Sequence, residues 1–402
     1  GATLKRSETS SRAVALQSYW FDDILVSTLG WRNDQFENYD AGQAMQDFRG
    51  SRQVGSDVYQ LPTTPDIDTE GDTFSWGLVA HTPQNVKDNL PGGMDLSIHY
   101  SESENFAPSA VARSPYGGFF NPPSGTTQDY GATLSLFDNK IVARMTWYET
   151  IQQNLFDNRL VGPYLWFFYQ VPQQVYNNNP TADVLAANFE LPVQAIQDAY
   201  RWNFITNPDG SIAIDGESIG AGDIIQAVSE GFEMDVTANL TRNWRLSLNA
   251  AQQEAVRTGT AQTGIDEVNR LAAAWLGNAA QGDLLENNNN PVRGRISQQF
   301  ALVQNALASD GQKANELREW RINLVTNYTF AKESPLKGFG VGGALRYQSK
   351  SAIGNELRTD PELGVIPDIS KPFWGPDDVK VDTWFSYRTK IFSDIDWILQ
   401  LN

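Results

Sequence analysis

The sequence predicts an all-β fold: an antiparallel, up-and-down transmembrane β-barrel wall of about twelve strands, with long, partly helical extracellular loops. Three observations carry this. Apolar and polar residues alternate with period two along twelve segments, giving each one apolar and one polar face. Short and long connections between those segments alternate strictly. The composition is rich in aromatics and poor in charge: Trp 12, Tyr 14 and Phe 20, against 19% charged residues in a chain of 402.

The segments can be taken in order. Val14, Leu16 and Trp20 share a face opposite Gln17 and Tyr19; after Phe21-Asp22-Asp23, Leu25, Leu29 and Trp31 alternate with Thr28, Gly30 and Arg32. Phe74, Trp76, Leu78 and Ala80 face away from Ser75, Gly77 and His81, and Leu96, Ile98 and Tyr100 away from Asp95, Ser97 and His99. Tyr130, Ala132, Leu134 and Leu136 lead into the turn Phe137-Asp138-Asn139-Lys140, from which Ile141, Ala143, Met145 and Trp147 return against Arg144, Thr146 and Tyr148. The clearest hairpin is 231–251. Phe232, Met234, Val236, Ala238 and Leu240 turn at 241–243 into Trp244, Leu246, Leu248 and Ala250, while Glu233, Asp235, Arg245 and Asn249 occupy the other face. Four more segments begin near Trp320, Phe339, Val379 and Ile395.

Joins within the six hairpins are short, as at 21–23, 137–140, 241–243 and 391–394, with 82–93 and 331–338 somewhat longer. Joins between hairpins are long: 33–72, 102–127, 152–228, 254–316 and 349–378. In a meander this puts every long loop at one rim, the asymmetry of outer-membrane barrels. Soluble domains rarely need five such loops. No run of about 18 apolar residues exists, so no transmembrane helix is expected. Residues 1–18 lack the basic start and apolar run of a signal peptide.

The loops carry helical patterns. Thr263 and Asp266 suggest a capping box before Ile265, Val268, Leu271 and Trp275, with a stop at Gly277. Val292, Ile296, Phe300, Val303 and Leu307 keep helical spacing. Val184, Leu185, Phe189, Val193, Ile196 and Tyr200 suggest a third stretch, kinked near Pro192. Asp209-Gly210, between Ile205-Thr206 and 212–214, signals a small hairpin. These loops are expected to pack as a cap over the barrel mouth.

Charge and residue counts exclude several chemistries. Thirty Lys plus Arg against 48 Asp plus Glu leave a net charge of −18, contrary to the basic face a nucleic-acid partner requires. Zero Cys removes disulfides, thiolate metal sites and cysteine nucleophiles. Two histidines, His81 and His99, cannot build a multi-histidine metal site. The acidic run 66–72 resembles the start of a calcium loop, but Gly77 stands where the bidentate Glu belongs. No nucleophile elbow, zinc-protease helix or phosphate loop is present. No catalytic residue, metal or cofactor is therefore expected, and the chain is read as a non-enzyme.

Binding is a different matter. Trp20, Trp31, Trp147, Trp244, Trp320, Tyr328, Phe330, Tyr347 and Trp397 lie near strand ends on the apolar face. They read as interfacial aromatic girdles rather than a sandwich core, because the opposite faces carry Arg and Asp. In the loops, Tyr116 and Phe119, the cluster Trp166, Phe167 and Tyr169, and Trp374 are the candidate ligand-binding residues. Exposed aromatic faces stack on sugars or cradle hydrophobic chelates, with Asn177, Asn178 and Asn179 as nearby hydrogen-bonding amides. The alternative is that these aromatics form the small core that orders the loops.

Three segments carry a family resemblance. The stretch 231–240 followed by Asn243-Trp244-Arg245-Leu246 resembles a hairpin of TonB-dependent outer-membrane receptors, in which a Gly-apolar-Glu-apolar strand turns into Trp-x-Leu. Gly30-Trp31-Arg32-Asn33-Asp34 is similar to that family's Gly-x-Arg-x-Asp strand end, and 394–402 to the strand before its C-terminal Asn-Leu-Phe segment. The resemblance implies that residues 1–402 are one partial barrel domain, running from about the ninth to the twentieth of 22 strands, without plug, TonB box or final strands. It implies an outer-membrane receptor that binds a scarce solute and then gates its passage. The solute would be an iron chelate, a corrinoid or an oligosaccharide. Outer-membrane lipid, the plug domain and the TonB energising complex would be its partners. Two rivals stand beside it. A self-contained outer-membrane channel should end on an aromatic, and Asn402 is not one. A secreted β-rich carbohydrate-active enzyme should bury apolar residues on both sheet faces and hold a carboxylate pair.

Overall fold

The computed structural model describes residues 3–43, 55, 59–107, 113–178, 189–285, 290–314, 317–360, 364–391 and 395–402. Its sixteen strands are β1 (Thr3–Trp20), β2 (Leu25–Gln43), β3 (Ile67–His81), β4 (Asp95–Phe106), β5 (Ser124–Leu136), β6 (Ile141–Asp157), β7 (Asn203–Thr206) and β8 (Ile212–Asp215), then β9 (Asp223–Thr241), β10 (Trp244–Thr258), β11 (Trp320–Thr329), β12 (Phe339–Gln348), β13 (Ala352–Asp360), β14 (Gly364–Trp374), β15 (Asp378–Ile391) and β16 (Ile395–Leu401). Twelve of them form one antiparallel sheet in unbroken chain order, with the pairs β7–β8 and β13–β14 standing apart as loop hairpins.

Register turns the period-two pattern into continuous rows. Leu96, Leu134, Ala143, Val236, Leu248, Leu324, Leu345 and Val381 stand opposite one another in turn from β4 to β15. One residue along, Thr133, Arg144, Asp235, Asn249, Asn323, Arg346 and Lys380 form the matching polar row. Each side chain alternates faces, so a slip of one residue would exchange the rows. The polar row is cross-linked: the Asn249 amide donates to Asp235 at 2.7 Å, and Arg346 pairs with Asp382. Trp384 on the same face lies over Gly342, where an added Cβ would overlap the indole. The apolar face is left open, with Val381 68% and Leu401 64% exposed. Rows of that extent on an open face mark contact with a non-aqueous phase.

Aromatic residues bound the apolar rows. Toward the long loops, Tyr130, Trp147, Phe232 and Trp320 follow one another at 5.9, 6.3 and 5.7 Å between ring centroids. Toward the short turns, Tyr328 pairs with Phe330 at 5.2 Å and Phe339 with Tyr387 at 4.6 Å. Trp320 and Tyr328 sit at the two ends of β11, about 27 Å apart along an untilted strand and less along the barrel axis, close to the roughly 25 Å apolar band of outer-membrane barrels.

Two short turns share a local device. Phe21, Asp22 and Asp23 have φ of 57°, 55° and 65°, and Phe137, Asp138 and Asn139 have 54°, 55° and 65°. Asp and Asn tolerate this left-handed region, whereas Phe is strained there.

Several details depart from expectation. Residues 33–43 and 67–72, expected in a loop, extend β2 and β3, with Glu37 opposite Asp68 and Asn33 opposite Asp72. Polar residues predominate on both faces there, so no apolar alternation betrays a strand, although Asp34, Phe36 and Asn38 are buried on one of them; ladder bonds and ion pairs such as Lys5–Asp40 hold it. The acidic run therefore lies mostly on a strand rather than in a cation loop. The connection 349–378 contains the hairpin β13–β14, which was not expected. The helix Ile265–Gly277 begins after Gly264 with no side-chain cap, so Thr263 and Asp266 form no capping box. Instead the Thr263 and Gly264 amides donate to Asp223 at 3.0 and 3.2 Å. Val184, Leu185 and Asn179 lie outside the described residues. The third helical stretch is realised as Gln194–Ala199, starting just beyond Pro192. The helix Val292–Ala308 and the hairpin β7–β8 form as expected.

Candidate ligand-capture rim

The hydrophobic core of the molecule is in the loops. Among the described residues its buried cluster draws on the β6–β9 and β10–β11 connections, from Leu160 to Ala221 and from Ala261 to Ala306. A helical run at 158–178, with a π-turn at Trp166–Gln170, packs against the helices Ile265–Gly277 and Val292–Ala308. Trp275 is fully buried and stacks with Phe189 at 5.2 Å and Phe167 at 5.8 Å.

Two polar anchors tie this cap to the rim, and a third ties its two loops to each other. Asp223, at the start of β9 and fully buried, accepts from the Tyr164 hydroxyl at 2.8 Å as well as the two loop amides. Burial, and then the facing Asp223 carboxylate, push the Tyr164 hydroxyl far above its usual range, so it stays a donor. Asp157, directly opposite Asp223 at the end of β6, holds Arg159 through 2.8 and 2.7 Å contacts. Arg159 in turn donates to Ser309 at 2.8 Å, and the Asp157 hydrogen bond raises its pKa. Arg270 grips Glu267 at 2.8 and 2.7 Å, pairs with Glu190 and donates to the Leu191 carbonyl at 2.7 Å. Two loops distant in sequence thus close into one body.

Beside the cap lies a cavity of about 940 Å³, walled by the ends of β10–β12, the tail of the cap helix and the hairpin β13–β14. Its charged lining is Arg159, Arg257, Lys313 and Lys350 with Glu254, Glu319 and Asp377. Lys313 pairs with Glu254 at 2.8 Å; Asp377 accepts from the Tyr347 hydroxyl at 3.2 Å and the Lys350 amide at 2.7 Å. Lys350 sits 4.7 Å from the ring centre of Trp374, which is 54% exposed.

The sequence candidates are dispersed over this rim. Trp374 lines the cavity. Tyr116 and Phe119 are exposed on the cap flank, with Arg113 stacked 4.2 Å above Phe119. Burial, then the carboxylates of Glu267 and Asp266, raise the Tyr116 pKa. Trp166 is half-buried under Arg295 at 4.4 Å. Tyr169 is half-buried, stacks on Tyr200 and donates to the Gly216 carbonyl at 2.9 Å. Phe167 corrects the expectation: it is fully buried against Trp275 and Phe300, with no ring face left for a solute. Its helical run must bury something to fold, and the longest apolar faces go inward. The charged lining of the cavity has no signature in the sequence, because its residues span 159–377 and only the fold gathers them.

A twelve-strand meander with an outward apolar face, an inward polar face, two aromatic belts and all long loops at one rim is the fold of a TonB-dependent outer-membrane receptor barrel. Among solved structures, the ferric preacinetobactin receptor BauA of Acinetobacter baumannii matches with a TM-score of 0.50 at 12% identity, over 98% of this chain and 38% of that one. The alcaligin receptor FauA of Bordetella pertussis matches at 0.47 and 10% identity, over 98% and 42%. The ferric-catecholate import receptor Fiu of E. coli K12 matches at 0.41 and 12% identity, over 98% and 36%. The chain thus spans less than half the length of each of these receptors. No family model and no curated protein sequence matches it.

Proposed function

We propose that this chain is barrel wall and outer cap of an outer-membrane receptor that takes up a scarce solute with energy delivered by a TonB complex. The observation that supports it is the pairing of rows across the sheet. Leu248 and its neighbours face lipid on one side, while Asn249, Asp235 and Arg346 face the lumen on the other. Such a wall separates hydrocarbon from a polar interior, which is what a conduit needs. The reaction is binding and gating, with no covalent step. The solute arrives at the loop rim, where Trp374, Tyr116 and Phe119 present open aromatic faces; Trp166 and Tyr169 offer one edge each and chiefly hold the cap. A plug inside the full-length barrel would contact the polar row.

The test is uptake by cells that carry the full-length protein, with and without a functional TonB complex, using labelled ferric chelates, cobalamin and short oligosaccharides. Accumulation of one of them that stops when the energising complex is removed supports the reading. Passive entry of many small solutes, unchanged without the complex, would mean an open channel instead.

A further inference from the structure

The rim cavity also speaks to the kind of solute. We propose that it receives a neutral, polyhydroxylated ligand, a short oligosaccharide, rather than a multiply charged chelate; this rests on the receptor reading above. The first ground is charge. Among the described residues four cations line the cavity against three carboxylates, so that lining nearly cancels. A polyanion entering it would meet Glu254, Glu319 and Asp377, and a polycation would meet Arg257 and Lys350. Either would leave like charges facing the ligand in a partly desolvated site, which costs affinity. The net charge of −18 further opposes approach of an anion.

The second ground is hydrogen bonding. A sugar hydroxyl both donates and accepts, so it is matched by a wall that mixes the two functions. Gln253, Gln312 and Asn355 supply both, Ser309 and Ser370 add hydroxyls, and the carboxylates accept. The volume of about 940 Å³ accommodates several linked rings. The third ground is Trp374. Lys350 covers one face of the indole at 4.7 Å, and the ring is still 54% exposed. That leaves surface to pack on the apolar C–H face of a pyranose, as an amphipathic aromatic does. Aromatic platform, mixed donors and acceptors, and near-zero net lining charge coincide in this one cavity.

The experiment is equilibrium binding to the full-length receptor in detergent. The probes are short neutral oligosaccharides of glucose, mannose, xylose and N-acetylglucosamine, with a ferric tris-catecholate complex in parallel, at low and high salt. One of the glycans should bind, with an affinity that hardly changes with salt, since no net charge is neutralised. Trp374→Ala should weaken it about tenfold or more, and Arg257→Gln, which keeps a donor, should change it by less than about threefold. Far-ultraviolet circular dichroism of each variant separates lost binding from lost fold. Binding of the catecholate alone, falling steeply with salt and with Arg257→Gln, overturns the proposal while leaving energised uptake standing. Absence of glycan binding by a correctly inserted receptor overturns it too. Loss of energy-dependent uptake for every solute would instead remove the receptor reading itself.

Discussion

In the cap, Trp275 is fully buried and stacks with two phenylalanines; in the wall, Trp147, Trp244 and Trp397 stand open on the face of a sheet. The same residue type does opposite work in the two regions. The cap is built as water-soluble domains are, with helices closing on a common core and ion pairs at its margin. Among the described residues, none of the twelve wall strands contributes to such a core. These strands are held by ladder hydrogen bonds, while their apolar side chains look outward from the sheet. Water is the cap's reference phase and hydrocarbon the wall's, so equal changes in the two should have unequal and sometimes opposite consequences.

The largest effect expected is in the cap. Trp275→Ala should cost about 3–5 kcal/mol of cap stability, the usual range for deleting a buried large aromatic. Limited proteolysis should then open the 152–228 and 254–316 loops while the wall keeps its sheet signal in circular dichroism. If wall and cap melt together instead, they are one cooperative unit and the contrast drawn above fails.

The wall is tested next. Leu248→Arg places a charge in the middle of the apolar rows and should cost about 2–4 kcal/mol in a refolding titration in lipid. Asn249→Arg, one residue along on the polar face, should cost much less. Equal losses at the two positions would show that the faces have been assigned wrongly.

At the seam between the regions, Tyr164→Phe removes the hydroxyl that donates to buried Asp223 at 2.8 Å. The carboxylate keeps its backbone partners Thr263, Gly264 and Ile224, so a loss of about 1–3 kcal/mol is expected, read as earlier proteolytic opening of the cap.

The smallest effect concerns the strand extension above the membrane. The hydrogen bond from Lys5 is the main reason the Asp40 carboxyl lies below its usual range. A depressed folded pKa contributes stability that is present above the unfolded value of about 3.9 and is lost as pH falls through the folded one. The raised Lys5 pKa works at the other end: its share is complete below the ordinary lysine range and fades as pH rises through the folded value. Lys5→Met should therefore cost at most about 1 kcal/mol at neutral pH and nothing in strong acid. Hydrogen exchange of the β1–β2 amides on either side of that acid range is the measurement.

Much of the wall was legible in the residues. Period-two alternation located twelve strands, and alternating loop lengths placed them in a meander, because in a wall between lipid and lumen each residue's face is fixed by its own polarity. The rule fails where polar residues stand on both faces, buried or not, which is why the extensions at 33–43 and 67–72 read as loop. Helical spacing found Ile265–Gly277 and Val292–Ala308 but not what they pack against. Only the tertiary structure decided that Phe167 goes inward while Trp374 stays open, since both are aromatic loop residues with no periodic neighbour to orient them. It alone brought Asp157 opposite Asp223, and Arg257 and Lys313 to one cavity with Lys350 and Asp377. The physical reason is range. Alternation and helix spacing are local properties of the chain, whereas a core and a binding cavity come from contacts between segments far apart in it.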